Sequence, residues 1–315
     1  MKPYKYFDCS INTTSNKEHN TKSLGPIEND IMKDLSLYSI LFGFLRTYDY
    51  QEADVFITNT TYPYEILEWS ENHSIPKIKR MDGIFWQNDL LDKNDLLNDA
   101  ALQSDHIIFI SEYSKDTLKE LYGFDLNSTV ILNNVDDSIF YPKEKEGFSL
   151  VSSCSNWERD GKRIYELIEL AKNIDEEIHL IGKCDIELPS NIIKHGYISS
   201  QKQMSDIISK SSVFLSLFFR DAGSKVTCQA IKCGLPVLYT TSGGLNELVK
   251  GNGVPIIDDV RMDFRNSSPP LDIDDIISKY GELKGKYNFL IKNFKQREPY
   301  YYTIENYFKV MKNYL

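Results

Sequence analysis

Short apolar segments alternate with amphipathic helical patterns along this chain of 315 residues, and this alternation limits the possible folds more than any other feature. Strands that alternate with helices favour parallel βαβ units, because each helix returns the chain to the same end of the sheet. In the first half the pattern predicts strands at 54–57, 76–81, 106–110 and 130–132, and helices at 27–48, 63–70, 94–103 and 114–122.

The second half repeats the pattern, with predicted strands at 148–152, 178–181, 192–194, 213–217 and 237–239, and helices at 161–172, 200–211 and 225–232. A chain of this length exceeds one ordinary core and favours two domains. We therefore predict an α/β protein with Rossmann-like domains at 1–143 and 148–300 and a C-terminal helix at 301–315. Parallel sheets of this kind bind ligands at the carboxyl ends of their strands.

The composition is that of a globular protein, with 41% hydrophobic and 26% charged residues. The net charge of −10 arises in residues 1–145, which hold 14 Lys and Arg against 24 Asp and Glu. An acidic surface disfavours nucleic acid and anionic membranes as partners of this half. The longest apolar stretch, 35–45, is shorter than the roughly 20 residues of a membrane span. We expect no transmembrane segment.

Five cysteines are scattered along the chain without metal-ligand spacing, and the N-terminus lacks a signal-peptide pattern. Reduced thiols in a cytoplasmic protein are the simplest interpretation. The acidic pairs Asp136–Asp137, Asp258–Asp259 and Asp272/Asp274 are interpreted as turns and helix caps, and we expect no metal site.

The segment from Arg220 to Glu247 combines a turn, a helix, a Gly-Pro corner, a buried strand and a Gly-Gly turn. Free backbone N–H groups at a helix N-terminus attract phosphate. If Asp221 and Gln229 share one helix face, both side chains point towards the same ligand. Glycines at 243 and 244 allow a second backbone segment to come close. This segment therefore predicts a site for an anionic ligand.

These residues resemble the donor-sugar signature of retaining glycosyltransferases of the GT-B fold, family four. That signature is Glu-x7-Glu, then Cys-Gly-Leu-Pro-Val, a Gly-Gly turn and a Glu. This chain has Asp221-x7-Gln229, Cys233 to Val237, Gly243-Gly244 and Glu247. The segments 101–118 and 130–142 are also similar to the family, and so is Gly25-Pro26 after the first strand.

The resemblance implies a GT-B fold, in which two Rossmann-like domains face each other across a cleft and a C-terminal helix returns to the first domain. It further implies a retaining, metal-independent transfer of a sugar from a nucleotide diphosphate, of UDP or GDP type, to an acceptor. No cofactor is implied.

The family has an Arg-x4-Lys pair that neutralises the diphosphate as its charge rises during bond cleavage. Lys162 occupies the lysine position, whereas Trp157 occupies the arginine position, and Arg159 is a substitute from a shifted place. The competing interpretation is that Lys162 and Arg163 form a solvated helix start.

The resemblance assigns Asp221 to the sugar hydroxyls and Gln229 to the ribose, where an amide both accepts and donates. The backbone of Ala222, Gly223, Ser224 and Lys225 would contact the sugar or phosphate. Asp221 also suits the role of a helix N-cap.

Two further segments complete the predicted site. Gly196, Tyr197 and Ile198 resemble the loop whose backbone contacts the nucleobase, and His195 before them is interpreted as a surface residue. In the first domain, Asp82 follows a strand at a position that faces the donor sugar in the family. A turn-forming Asp-Gly is the alternative. We predict Asp82, Lys162 and Asp221 as catalytic residues.

Three alternative functions remain open at this point. The amide at Gln229 and the missing arginine are compatible with a non-catalytic nucleotide-sugar-binding protein or partner subunit. A GT-B epimerase would act on the nucleotide sugar itself. A transferase acting on a nucleic-acid base is disfavoured by the acidic first half.

Overall fold

The computed structural model describes residues 2–10, 34–35, 38–145 and 147–315. The chain divides into two compact units, Met1–Leu132 with Tyr301–Leu315, and Asn133–Tyr300. The C-terminal segment Tyr301–Leu315 therefore belongs to the first unit. Gly25-Pro26 and part of the predicted helix at 27–48 lie outside the described residues.

The first unit contains a six-stranded parallel sheet in the order β2-β1-β3-β4-β5-β6. Its strands are β1 (Tyr4–Asp8), β2 (Phe44–Thr47), β3 (Val55–Thr58), β4 (Lys77–Met81), β5 (His106–Phe109) and β6 (Ser128–Val130). Its first helices are α1 (Tyr64–His73), α2 (Leu91–Leu102) and α3 (Glu112–Tyr122). Short 3-10 turns occupy Ser39–Phe42, Tyr50–Glu52 and Asn88–Leu90.

The predicted helix at 27–48 is wrong over its last part, because Phe44–Thr47 forms strand β2. Gly43 ends the preceding 3-10 turn with a φ of 79°. β2 then pairs in parallel with β1, and Phe44 becomes fully buried. Pairing with a strand that is distant in the sequence outweighs the local helical pattern.

The second unit contains a six-stranded parallel sheet in the order β12-β11-β10-β7-β8-β9. The strands are β7 (Leu150–Asn156), β8 (Ile178–Lys183), β9 (Ile192–Gly196), β10 (Val213–Ser216), β11 (Val237–Thr240) and β12 (Gly253–Ile256). The helices are α4 (Ile164–Lys172), α5 (Gln201–Lys210), α6 (Lys225–Lys232), α7 (Leu245–Val249) and α8 (Ile273–Lys292).

Helix α8 is the longest described helix, with 20 residues, and the sequence pattern did not predict it. Asp272 caps its N-terminus by accepting hydrogen bonds from the backbone N–H groups of Asp274 and Asp275. Ile276, Tyr280 and Leu283 lie on its buried face, which joins the main core of the second unit. Exposed glycines within the helix lower its intrinsic helix propensity, which explains why the sequence pattern did not indicate it. The helix is stabilised instead by its packing against the core.

The C-terminal helix α9 (Tyr300–Lys312) supplies a second side to the core of the first unit. Ile304, Tyr307, Phe308 and Met311 recur at helical spacing, and each is at most 1% exposed. Phe308 packs against Phe44 at a ring distance of 5.0 Å. Burial of this apolar face attaches the end of the chain to the first sheet.

Candidate functional site

The predicted donor site of the second unit lies at the carboxyl edge of its sheet. Lys162 follows β7, Asp221 follows β10, and Gly196 ends β9. Because the strands are parallel, these three loops emerge at the same edge. The topology therefore places residues that are distant in the sequence along one side of the sheet.

Lys162 and Asp221 come together at the ends of two neighbouring strands. The Lys162 ammonium nitrogen lies 3.9 Å from Asp221 Oδ2 and 4.5 Å from the centre of the Phe218 ring. The two side chains are 24% and 19% exposed. The Lys162 ammonium makes no hydrogen bond within the described part of the chain, whereas its backbone N–H donates to the carbonyl oxygen of Arg159 at 3.1 Å. Its ammonium donors therefore remain available to an anionic ligand.

Trp157 has a structural role and supplies no cation. It is 1% exposed, and its indole Nε1 donates to the carbonyl oxygen of Ile181 at 3.0 Å. Arg159 is exposed, and its side chain makes no hydrogen bond to the described residues. Lys162 is thus the cation that the structure brings next to Asp221, and Arg159 lies in the turn before it.

The Asp221 loop is held by the Gly243-Gly244 turn. The backbone N–H of Gly244 donates to the carbonyl oxygen of Asp221 at 2.9 Å. A Cβ atom at residue 243 would stand 2.4 Å from that same oxygen. Only glycine allows this approach, which explains the Gly-Gly turn physically.

Ser224, not Asp221, caps helix α6, so the N-cap interpretation of Asp221 is wrong. The Ser224 hydroxyl accepts from the backbone N–H of Thr227 at 3.3 Å. Asp221 Oδ1 instead accepts from the N–H of Gly223 at 3.2 Å. The helix begins at Lys225, so the shared-face argument for Asp221 and Gln229 also fails.

The loop before α6 is fixed from a second side by Asn133. Its amide nitrogen donates to the carbonyl oxygen of Gly223 at 2.6 Å. Ala222 and Lys225 are partly exposed, whereas Gly223 and Ser224 are buried. The first turn of α6 is therefore presented in a constrained loop, as anion binding at a helix start requires.

Gln229 is 5% exposed, and its side-chain Oε1 atom has no hydrogen-bond partner among the described residues. Leaving a buried acceptor unsatisfied costs about 1–3 kcal/mol. A ligand hydroxyl or N–H group would remove that cost. Gln229 Oε1 is therefore a buried acceptor that a ligand could satisfy.

His195 is not the surface loop residue that the sequence suggested. It belongs to β9, and its Nε2 lies 3.0 Å from Nδ1 of His179 on β8. Burial lowers the pKa of both imidazoles. Gly196 follows with a φ of 70°, and Tyr197 is 56% exposed. This pair anchors the start of the predicted nucleobase loop.

No protein-family model matches the sequence, and no curated protein aligns with it significantly. Solved structures resemble it over nearly its whole length. A glycosyltransferase from Rickettsia africae ESF-5 has a TM-score of 0.69 at 12% identity, covering 100% of this chain and 99% of its own. Sucrose-phosphate synthase from Thermosynechococcus elongatus has a TM-score of 0.64 at 12% identity, covering 98% and 88%.

Anabaena HepE, solved with UDP and glucose, has a TM-score of 0.61 at 13% identity, covering 93% of this chain and 84% of its own. The chain has the GT-B fold. Identities this low describe the fold alone. The roles of individual residues in this GT-B protein therefore rest on their own contacts.

In the first unit of this GT-B chain, Asp82 directly follows β4 and pairs with Arg80 at 2.5 Å. The Asp82 side chain is 37% exposed, whereas that of Arg80 is 6% exposed. Burial by itself would lower the pKa of Arg80. Its interactions with Asp82 and Tyr307 raise the pKa by more, so the pKa of Arg80 is raised overall. Arg80 Nε donates to the Tyr307 hydroxyl at 3.0 Å. Asp82 is therefore an oriented carboxylate.

Sequence reasoning missed two buried arginines next to the predicted catalytic residues. Arg163 follows Lys162 and is 5% exposed, so it is not part of a solvated helix start. Its partner is Asp258, which the sequence suggested as a turn or cap residue and which forms a buried ion pair with Arg163. Arg220 precedes Asp221 and is 7% exposed. The sequence feature that could have identified these two arginines is that each lies directly beside a predicted catalytic residue, Lys162 or Asp221.

Among the described residues, no helix combines the length and apolar character needed to cross a bilayer. A metal-binding group of three or more His, Cys, Asp or Glu side chains was not found among them.

Proposed function

We propose that this protein is a retaining glycosyltransferase that moves a sugar from a nucleotide diphosphate to an acceptor. The observation that carries the proposal is the placement of Lys162 beside Asp221 at the carboxyl edge of a GT-B sheet. A cation with unused donors next to a carboxylate suits a sugar diphosphate, which presents negative oxygens and hydroxyl groups together. The glycosyltransferase neighbours support the reaction class.

Within this proposal, Lys162 stabilises the departing diphosphate and Arg159 assists from the exposed turn. Asp221 accepts hydrogen bonds from sugar hydroxyls. The backbone of Ala222 to Lys225 contacts the sugar or phosphate, and Gln229 binds the ribose. Gly196 to Ile198 contact the nucleobase. UDP is the favoured nucleotide over GDP, since the HepE structure holds UDP.

The proposed step breaks the bond between the sugar C1 and the phosphate oxygen and forms a bond between C1 and the acceptor oxygen on the same face. The acceptor proton passes to the departing phosphate. No metal takes part in this scheme. Asp82 is the proposed catalytic residue of the first unit, which is assigned to the acceptor. We place the reaction in the cytoplasm, where the five free thiols stay reduced.

Nucleoside diphosphate release from a panel of nucleotide sugars tests the proposal, measured with and without cell extract as an acceptor source. We expect release with at least one UDP- or GDP-sugar, and its loss in Lys162→Ala. Lys172→Ala is the matched control, because Lys172 is an exposed lysine at the far end of α4. No release with any donor would contradict the proposal.

A non-catalytic nucleotide-sugar-binding protein is the second candidate, and one observation favours it. Trp157 stands at the position of the family arginine and is buried as a structural residue. The leaving group then has one cation fewer. This alternative predicts nucleotide binding in calorimetry without turnover, and no effect of Asp82→Ala on that binding. An altered sugar nucleotide formed without any acceptor would instead indicate an epimerase.

A further inference from the structure

Two arginines in the left-handed backbone conformation flank the proposed catalytic pair. Arg163, with φ 55°, directly follows Lys162, and Arg220, with φ 51°, directly precedes Asp221. Left-handed φ values disfavour residues that carry a Cβ atom. Such strain persists only where surrounding contacts hold the residue in place. The contacts of these two arginines therefore have a specific local function.

Arg163 is held by three groups. Its guanidinium donates to Asp258 Oδ2 at 2.9 Å, to the carbonyl oxygen of Leu217 at 3.3 Å and to that of Pro269 at 3.0 Å. The side chains of Arg163 and Asp258 are each 1% exposed. A buried ion pair with further backbone acceptors is rigid, because moving either charge leaves the other one unpaired.

Arg220 is held by the same segment of chain. Its guanidinium donates to Asp263 Oδ1 at 2.6 Å and also to the carbonyl oxygens of Arg261 and Asp263. Its backbone N–H donates to the Ser242 hydroxyl at 3.0 Å. Segment 258–269 therefore contacts both arginines, Arg163 at its two ends and Arg220 at 261 and 263 between them.

The guanidinium groups of Arg163 and Arg220 both lie over the ring of Phe219. Their central carbons are 5.1 Å from the ring centre for Arg163 and 4.9 Å for Arg220. The backbone N–H of Phe219 donates to the carbonyl oxygen of Gly161 at 2.9 Å, which joins the loops after β7 and β10 directly. The two arginines thus contact the same aromatic ring, and the hydrogen bond from Phe219 to Gly161 links the loops that carry them.

We propose that Arg163, Arg220, Phe219 and segment 258–269 form an arginine clamp that positions Lys162 and Asp221 relative to each other. Both arginines are buried and bonded to protein groups, so both are positioning residues. The clamp couples the loops after two strands, so that disturbing one arginine moves the residue beside the other. The catalytic part of this inference rests on the proposed function, whereas the coupling of the two loops does not.

Glycine substitutions separate the clamp from backbone strain. Arg163→Gly and Arg220→Gly each remove a guanidinium and leave a residue that accepts positive φ without cost. Lys250→Gly is the matched control, because Lys250 also has a positive φ, 46°, but is exposed at the end of α7. Phe219→Leu removes the shared ring and keeps an apolar side chain.

Amide hydrogen exchange on the whole protein tests the coupling without any donor. We expect Arg163→Gly to accelerate exchange at 218–224 as well as at 159–163, and Arg220→Gly to accelerate the same two segments. Phe219→Leu should do likewise. Lys250→Gly should change neither. Acceleration confined to the segment that carries the substitution would overturn the clamp.

Turnover then tests positioning. In each arginine variant we expect kcat for donor cleavage to fall by about 10- to 100-fold. The stoichiometry of UDP binding should remain that of the unmodified protein, which shows that the variant is folded. The double variant should lose much less than the product of the two single losses. Unchanged kcat in variants with coupled exchange would overturn the positioning role.

The two hypotheses fail separately. If the unmodified protein neither binds nor cleaves any nucleotide sugar, the proposed function fails, and the exchange pattern still decides whether the clamp exists.

Discussion

The Lys162 ammonium lies 3.9 Å from a carboxylate oxygen of Asp221, across the ends of the neighbouring strands β7 and β10. This distance allows attraction without a hydrogen bond. Both side chains keep about a fifth of their surface exposed. The pair is therefore poised to bind a ligand that carries both negative oxygens and hydroxyl groups.

Replacing Lys162 by Gln keeps a polar side chain, one atom shorter, and removes its charge. We expect kcat for donor cleavage to fall by about 100- to 1,000-fold, because the developing charge on the diphosphate loses its cation. Arg159→Gln is the comparison. Because Arg159 is exposed, we expect this substitution to lower kcat much less. Steady-state kinetics with the best donor measures both. Equal losses in the two variants would mean that Lys162 has no special role.

Replacing Gln229 by Leu should leave stability nearly unchanged and weaken nucleotide binding. The Oε1 atom has no hydrogen-bond partner within the described residues, so its removal breaks no bond that the structure shows. A lost ligand hydrogen bond of about 0.5–1.5 kcal/mol corresponds to a roughly 2- to 13-fold weaker affinity. Thermal unfolding and calorimetry with UDP check the two effects. A large fall in stability with intact binding would show that Gln229 is a core residue only.

Gly243→Ala should damage the site, whereas Gly281→Ala should stabilise the protein. A Cβ atom at 243 meets the Asp221 backbone, and forcing it in costs about 1–3 kcal/mol and shifts Asp221. Gly281 lies on the exposed side of α8 with nothing within 4 Å of its added Cβ. Alanine there gains about 0.5–1 kcal/mol of helix stability. Urea unfolding and donor cleavage distinguish the pair, and a harmless Gly243→Ala would refute the close approach.

Tyr307→Phe should detach α9 from the first sheet in part. It removes the hydroxyl that accepts from Arg80 Nε, and a hydrogen bond to a charged group is worth about 1.5–3 kcal/mol. Tyr302→Phe is the control, because Tyr302 lies on the same helix and is 49% exposed. Chemical denaturation measures both variants. A loss as large for Tyr302→Phe would argue against a specific contribution from the Arg80 bond.

Stability should fall as the pH drops below about 6.5, the unfolded pKa of histidine. Burial lowers the pKa of His179 and His195, so the unfolded chain takes up protons that the folded state resists. The stability contributed by these two histidines is fully present above their unfolded-state pKa. It is lost as the pH falls towards their lower folded-state pKa. The double variant with Gln at both positions should flatten this dependence. Urea unfolding across this pH range provides the measurement.

The fold was predictable because its signals are local and repeated. Helix α6 has the predicted bounds, and most other predicted strands and helices overlap the observed ones. The errors arise where non-local pairing decides. β2 became a strand because β1 pairs with it, and α8 was missed because its stability comes from the core that it covers.

The residue types of the candidate site stay a prediction, and part of its predicted geometry was wrong. The Gly-Gly turn, Lys162 and Asp221 were identified from the motif that they resemble. The helical relation between Asp221 and Gln229, the N-cap role of Asp221 and the solvated position of Arg163 were all wrong. Spacing along the sequence does not show where a helix begins or which charge becomes buried.

The sequence alone determined an α/β chain with parallel strands, because hydrophobic periodicity and the glycine and proline residues that bound each element are properties of short segments. Only the tertiary structure decided which loops meet at the sheet edge. It paired Arg163 with Asp258 and Arg220 with Asp263, residues that lie far apart in the sequence. Buried charges must find partners wherever the fold brings them, and no local pattern specifies that choice.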